Sequence, residues 1–156
     1  MMSALLVSAF LTCLLSNAAF SYGSNCERVK GTGHTFATGP GVFQGTASVA
    51  GDGQTVNVAV TTTLLGQPTA TEDGTLLAAT SHTFVFPDGS TFTTIDRAVL
   101  SPTDTPGLYR INTDASIDRG TGDYANACGK LSIHGTIDLF GGEVVWRFTG
   151  QLCSCS

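Results

Sequence analysis

Charged side chains are scarce: Asp, Glu, Lys and Arg together make up 12% of the 156 residues. Lys and Arg number seven against twelve Asp and Glu, so the formal net charge is -5. Nucleic acids and anionic membranes are bound through clusters of positive charge, and this balance argues against both as partners. Solubility is a sufficient explanation for the acidity.

Familiar catalytic motifs and helical patterns are also missing. No Gly-x-Ser-x-Gly elbow and no His-Glu-x-x-His motif occurs in the chain. After the first 21 residues no long segment has helical periodicity, and no linker or charge run divides residues 26–155. We therefore expect one all-β domain over residues 26–155, without a cofactor or a metal.

The longest apolar run, residues 4–15, has the length of a signal-peptide core and is too short to span a bilayer. The small residues that follow would suit cleavage after Ala18 or after Ser21. No Lys or Arg precedes the run, so the signal is atypical or its true start lies upstream, and a buried N-terminal helix is the alternative. We expect residues 1–21 to be a cleaved signal peptide. The mature protein would then be secreted or periplasmic, with no membrane association.

The rest of the chain alternates between strand-like segments and turns. Eight segments have the composition or period-2 pattern of β-strands: 29–38, 42–50, 54–65, 75–86, 90–101, 108–118, 130–139 and 144–152. Nearly all the connections read as hairpin turns, so each strand should pair with its neighbour. Such a meander predicts a closed eight-stranded antiparallel up-and-down β-barrel, and a two-sheet sandwich is the alternative.

Three turns set expected registers. Asp52-Gly53 suits a two-residue turn with positive φ at both positions, Asp88-Gly89 centres a second hairpin, and Gly141-Gly142 suggests another two-residue turn. These turns predict five pairs of residues that face each other across the strands: Val49 with Val56, Phe84 with Thr93, His82 with Ile95, Leu139 with Val144, and Ile137 with Trp146.

Four cysteines remain after the leader: Cys26, Cys128, Cys153 and Cys155. The expected register of the last hairpin sets Cys128 opposite Cys155. In a closed barrel the first strand lies beside the last, which brings Cys26 near Cys153. We therefore predict the disulfides Cys26–Cys153 and Cys128–Cys155. A zinc site is the weaker alternative, because Cys153-Ser154-Cys155 lacks the usual two-residue spacer.

The candidate site residues lie on the strands around the 87–90 turn. If the face that carries Phe84 points inward, His82 and Arg97 enter the lumen, and Tyr109 falls on another apolar face. Such groups in a dry barrel could polarise a carbonyl or move a proton. Asp96, with Ser81 and Thr94, is the equivalent set if the opposite face points inward. His34 and His134 are assigned no role.

Residues 120–129, Gly-Thr-Gly-Asp-Tyr-Ala-Asn-Ala-Cys-Gly, suggest a family. They resemble the Gly-Thr-Gly, aromatic, Ala, Gly signature of dirigent and allene oxide cyclase-like barrels, although Cys128 departs from the usual residue. The Phe-Pro-Asp-Gly-Ser hairpin at 86–90 looks like small secreted bacterial members of that superfamily. The same glycines do not fit a dinucleotide fingerprint, because a strand follows them, and they predict a tight loop with positive φ.

The resemblance implies an eight-stranded antiparallel barrel that often forms homo-oligomeric trimers. Known members guide cyclisation or radical coupling of apolar small molecules inside the barrel, and others have no known activity. Three functions stay open here: an isomerase or coupling guide, a non-catalytic binder of a small apolar ligand like the lipocalins, and a structural barrel with a filled core. An open lumen with convergent polar groups would favour the first two.

Overall fold

The computed structural model describes residues 26–155. The expected signal peptide, residues 1–21, lies outside the described residues, as do both of its cleavage sites. One short 3-10 helix, Gly122–Tyr124, accompanies the strands, and no helix in the described part is long and apolar enough to cross a membrane. The strands are β1 (Glu27–Gly39), β2 (Val42–Gly51), β3 (Gln54–Leu64), β4 (Thr69–Ala70), β5 (Leu76–Val85), β6 (Thr91–Pro102), β7 (Leu108–Thr121), β8 (Ala127–Asp138) and β9 (Glu143–Ser154).

The strands form one antiparallel sheet that closes on itself. The order is β3-β2-β1-β9-β8-β7-β6-β5-β4, and an additional pairing joins β3 to β5. The eight long strands thus complete a ring, while β4 is a two-residue ribbon on the edge of β5. Closure leaves no long strand without two neighbours, which removes exposed sheet edges. The predicted eight-stranded antiparallel barrel is confirmed, and the alternative of two packed sheets is wrong.

The β2–β3 hairpin has the predicted register. Val49 lies opposite Val56 and Ala47 opposite Val58. Asp52 and Gly53 have φ values of 44° and 75°, as a two-residue turn of this hand requires.

The β8–β9 hairpin is displaced by two residues from the predicted register. Ile137 lies opposite Val144, and Gly135 lies opposite Trp146. The connection is a four-residue loop, residues 139–142, in which the Gly142 amide donates to the Asp138 carbonyl. A displacement by two preserves the side-chain faces, so Ile137, Val144 and Trp146 still share the inner face, whereas Leu139 lies in the loop and is exposed.

The β5–β6 hairpin is displaced by one residue from the predicted register, and this difference changes which side chains enter the barrel. Phe84 lies opposite Phe92 instead of Thr93, and the strands pair from Val85 and Thr91 onwards. An odd displacement reverses which residues of β6 share a face with those of β5. Asp96 is therefore buried inside the barrel, whereas Ile95 is exposed on the outer surface.

Aromatic side chains fill one end of the barrel, which we call the closed end. It is bounded by the 52–53 and 87–90 turns and by helix Gly122–Tyr124. The Phe84 and Phe92 rings stack with centroids 4.5 Å apart, and Phe86 stacks on Tyr124 at 4.3 Å. Phe148 meets Phe84 edge-on at 6.0 Å and completes the layer. Offset and edge-to-face contacts of this kind add to the free energy of burying the rings.

Both predicted disulfides are present, and both lie at the closed end. Cys26 is bonded to Cys153, across 127 residues of chain, and Cys128 is bonded to Cys155. Cys128 faces Cys153 directly, not Cys155 as expected. Because Cys153 is bonded to Cys26, Cys128 forms its disulfide with Cys155, two residues further along the chain. The Cα atoms of Cys128 and Cys155 lie 5.9 Å apart.

Glycines on the inner surface make room for the largest side chains. A Cβ on Gly33 would lie 2.1 Å from the Trp146 ring, and one on Gly31 would lie 2.4 Å from the Phe148 ring. These rings can reach the barrel axis because β1 presents backbone instead of side chains at the facing positions.

Glu27 begins β1 beside the first disulfide and is expected to lower stability at neutral pH. Burial raises the pKa of its carboxyl, and the nearby Asp52 carboxylate raises it further. Its Oε1 is buried without a hydrogen-bond partner among residues 26–155. A raised folded-state pKa means that stability is complete while the group is protonated and falls as the pH rises through that pKa.

Glu27→Gln should therefore raise the free energy of unfolding at pH 7 by about 0.5 kcal/mol after allowance for solvent screening. At about pH 3, well below the ordinary glutamate pKa, the side chain is protonated in the folded and the unfolded protein, and the difference should vanish. Urea unfolding at both pH values is the measurement, with the exposed Glu72→Gln as the charge-matched control. A gain that is equal at both pH values would show that the carboxylate is not responsible.

Candidate functional site

A cavity of about 70 Å³ occupies the half of the barrel opposite the aromatic layer. This half ends at the turns around residues 40, 105 and 140, which we call the open end. The outer walls of the cavity include Phe43, Leu64 and Ile111, which are only half-buried, so the cavity approaches solvent there. Its lining is predominantly apolar, and the polar members are Thr35, Thr62, Thr80, His82, Thr113 and Trp146.

A histidine–aspartate pair lies at the inner side of this cavity. His82 is on β5 and Asp96 on β6, and their Nδ1 and Oδ2 atoms lie 2.5 Å apart. The Asp96 side chain is fully buried, and that of His82 is 9% exposed. The pair is placed by the register of the β5–β6 hairpin, which sets both residues on the inner face.

Two threonines hold the pair in position. The Thr80 hydroxyl donates to the same Asp96 Oδ2 at 3.2 Å, and the His82 backbone amide donates to the Thr94 hydroxyl at 3.2 Å. The other carboxylate oxygen, Asp96 Oδ1, is buried without a hydrogen-bond partner among residues 26–155. A buried carboxylate costs free energy unless it is paired, so Asp96 depends on His82 and Thr80.

The pairing determines which nitrogen of His82 can react. When Nδ1 carries a proton and donates it to the Asp96 carboxylate, Nε2 is the basic nitrogen of the ring. His82 lines the cavity, so a molecule held there would meet a histidine whose tautomer and orientation are set. The arrangement can accept a proton from a bound molecule and return it, with Asp96 stabilising the imidazolium formed in between.

Two further polar atoms in the cavity wall have no internal partner. Thr35 Oγ1 and Trp146 Nε1 are both buried without a hydrogen bond among the described residues. The indole N–H is a donor only, so its complement is an acceptor such as a carbonyl or hydroxyl oxygen. Buried polar groups without partners are uncommon, and a bound molecule with an oxygen atom could satisfy these two.

The sequence-predicted candidates are divided between the two sides of the barrel wall. His82 lines the cavity, whereas Arg97 is exposed on the outer surface, so its expected lumen position is wrong. Tyr109 is half-buried and packs against the core near the open end, outside the cavity lining. Of the alternative set, Asp96 and Thr94 are buried inside with His82, and Ser81 is not.

The remaining histidines are on the outer surface. His34 contacts Glu143, with Nε2 and Oε1 2.6 Å apart, and His134 contacts the Asn112 amide oxygen at 2.8 Å. Both histidines are exposed, and neither reaches the lumen.

The segment 120–129 is part of the closed end and not of the cavity. Gly122 has a φ of 58°, as the tight-loop prediction required, and a Cβ at this position would lie 2.8 Å from that of Ser90. Tyr124, in the short helix, is 1% exposed and stacks on Phe86. The segment therefore closes the barrel with an aromatic side chain.

Two solved structures are similar to this chain. One is the pterocarpan synthase dirigent protein PsPTS1, with 15% identity, coverage of 88% of this chain and 99% of that chain, and a TM-score of 0.47. The other is the pterocarpan synthase dirigent protein GePTS1, with 16% identity, coverage of 82% and 89%, and a TM-score of 0.44. No protein-family model and no curated protein matches the chain.

Proposed function

We propose that this chain is an exported dirigent-like barrel protein that binds a small, largely apolar molecule at its open end and guides its isomerisation or cyclisation by proton transfer. The observation that carries the proposal is the buried His82–Asp96 pair, whose histidine lines a predominantly apolar cavity. Two disulfides support export, because such bonds persist in oxidising compartments.

The proposed step balances without a further reactant. His82 Nε2 accepts a proton from the bound molecule, and the electron pair left behind forms the new double bond or ring bond while an existing π bond of the molecule opens. The imidazolium then returns the proton to the atom that receives the electron pair of that π bond. The low-dielectric cavity strengthens the contact between imidazolium and Asp96, and the Trp146 N–H is available to an oxygen that gains negative charge.

A non-catalytic carrier is the second candidate. The predominantly apolar lining and the half-buried entrance residues Phe43 and Leu64 would serve storage of a ligand as well as its conversion. The aromatic layer limits either function to the open half of the barrel. The homo-oligomer expected from the family resemblance stays a prediction.

Filling the cavity tests the binding shared by both candidates. Ala98 is buried in the cavity wall, while Ala79 is exposed on the outside of β5. Native mass spectrometry of the purified protein should detect a bound small molecule, and Ala98→Leu should abolish its retention. Ala79→Leu adds the same atoms outside and should retain the ligand. Loss of the ligand from both variants, or from neither, would contradict a ligand site in the lumen.

Replacing His82 separates catalysis from storage. His82→Gln removes the imidazole while a polar side chain remains beside Asp96. Conversion of the ligand that copurifies, followed by NMR in D₂O, should fall by at least about 100-fold, the lower range for general acid–base catalysis. Binding should be reduced much less. His134→Gln on the outer surface is the matched control and should leave the rate unchanged. An unchanged rate in His82→Gln would contradict the role of His82, and a parent protein that retains the ligand without converting it would favour the carrier.

A further inference from the structure

Basic side chains are concentrated on one outer surface, although the chain is acidic overall. Five of the seven lysines and arginines project outward from the four adjacent strands β7, β8, β9 and β1. All five are exposed: Arg28, Lys30, Arg110, Lys130 and Arg147. We call these residues and the polar side chains between them the basic face.

The strand registers place the five cations close together. Arg28 and Lys130 flank Gln151 on either side, and Lys30 lies opposite Thr149. Arg147 lies opposite both Thr32 and His134, and Arg110 lies opposite Thr136. Neighbouring strands are about 4.8 Å apart and same-face residues along a strand about 7 Å apart, so the cations form one patch.

Few carboxylates compensate this patch. Asp114 lies between the cations, Asp52 lines the third of the depressions described below beside Arg28 and Lys30, and Asp118, Glu143 and Asp138 lie at the margins of the patch. Glu143 contacts His34. Within residues 26–155 none of the five cations forms a salt bridge. At physiological ionic strength, charges more than about 8 Å away are largely screened, so the local positive charge outweighs the acidic balance of the whole chain.

The outer surface of these strands is indented where the cations lie. Three shallow depressions cross the outside of these strands, with volumes of about 660, 530 and 770 Å³. Arg110 and Arg147 line the first, Lys130 the second, and Arg28 and Lys30 the third. The second and third share Thr149 and Gly150, so the trough continues from one strand to the next.

We propose that the basic face binds an acidic polysaccharide. The cations would contact carboxylate or sulfate groups, and the hydroxyl and amide groups between them match sugar hydroxyls. These intervening side chains are Thr32, Asn112, Ser132, Thr136, Thr149 and Gln151.

Other polyanions fit this surface less well. Among the described residues of the basic face there is no Trp, Tyr or Phe, and His134 is its single ring, so bases of single-stranded nucleic acid would have little surface on which to stack. Stable attachment to an anionic membrane also needs inserted apolar groups, and Val145 is the only large apolar side chain exposed among these rows. The surface is independent of the cavity, so this inference does not rest on the proposed enzymatic step.

The test compares two double variants with equal charge. Arg110→Gln/Arg147→Gln alters the basic face, while Arg97→Gln/Arg119→Gln removes the same charge from exposed positions elsewhere. Binding to heparin and to polygalacturonate is measured by calorimetry at several salt concentrations, with neutral dextran as the uncharged control. We expect binding to both acidic polymers, about tenfold weaker in the basic-face variant and little changed in the control variant, because each exposed charge contact is worth up to about 1 kcal/mol.

Three results would overturn the proposal. The first is failure of the parent protein to bind either acidic polymer at low salt. The second is an equal loss in both double variants, which would indicate a net-charge effect. The third is tighter binding to double-stranded DNA or to phosphatidylglycerol vesicles than to both polysaccharides. Circular dichroism of each variant shows that the barrel is intact before affinities are compared.

Discussion

Replacing Cys26 and Cys153 by serine should lower the free energy of unfolding by about 4–5 kcal/mol, close to half the stability of a typical domain. The bond joins residues 127 positions apart, at the pairing of the first and last strands that completes the barrel. In the chain-entropy description a cross-link stabilises by restricting the unfolded chain, and the effect grows with the length of the loop. Urea unfolding monitored by circular dichroism is the measurement.

Cys128→Ser/Cys155→Ser is the matched comparison. That bond spans 27 residues within one hairpin, so its loss should cost about 3–4 kcal/mol and leave the β1–β9 junction fastened. The ranking of the two variants is the sharper expectation, because both lose one disulfide at the same end of the barrel. A larger loss in the Cys128/Cys155 variant would mean that loop length does not govern the stabilisation.

Phe84→Ala should destabilise the barrel by about 3–5 kcal/mol, the range for truncating a fully buried phenylalanine. The side chain is 0% exposed and contacts Phe92, Trp146 and Phe148 at the boundary between the aromatic layer and the cavity. Its removal takes away both the burial of the ring and the packing of three neighbouring rings. Unfolding can be followed through the fluorescence of Trp146, the single tryptophan of the chain.

Phe140→Ala provides the control for this prediction. Phe140 is 82% exposed in the loop between β8 and β9, where it rests on Gly107. Truncating an exposed side chain usually changes stability by less than about 0.5 kcal/mol. Comparable losses in the two variants would show that the aromatic layer is not the main source of stability.

Turn chemistry explains which registers could be predicted from the sequence. Asp52-Gly53 permits one two-residue turn with positive φ at both positions, so the β2–β3 register followed correctly. Gly141-Gly142 looked similar, but the Asp138 carbonyl accepts from Gly142 and a four-residue loop results. The last hairpin is displaced by an even number of residues, so Ile137 and Trp146, predicted to lie opposite each other, still share the inner face of the barrel.

The residues of the site were harder to predict because they depend on the β5–β6 register, which differs from the predicted one by a single residue. Moving β6 by one residue relative to β5 exchanged Arg97 for Asp96 inside the barrel. The sequence offered no clear choice, since both faces of these strands mix apolar and polar residues. Both predicted disulfides are correct, although the β8–β9 register from which Cys128–Cys155 was inferred is not. Closure of the barrel alone brings Cys26 to Cys153.

The division of the barrel into a filled end and an end with a cavity bears on how its sequence can change. The disulfides, the aromatic layer and the short helix all lie away from the entrance. Substitutions at Phe43, Leu64 or Ile111 would reshape the entrance while these elements keep the fold. Such a scaffold suits divergence or laboratory selection toward new small molecules, since altered selectivity need not be accompanied by loss of the native structure.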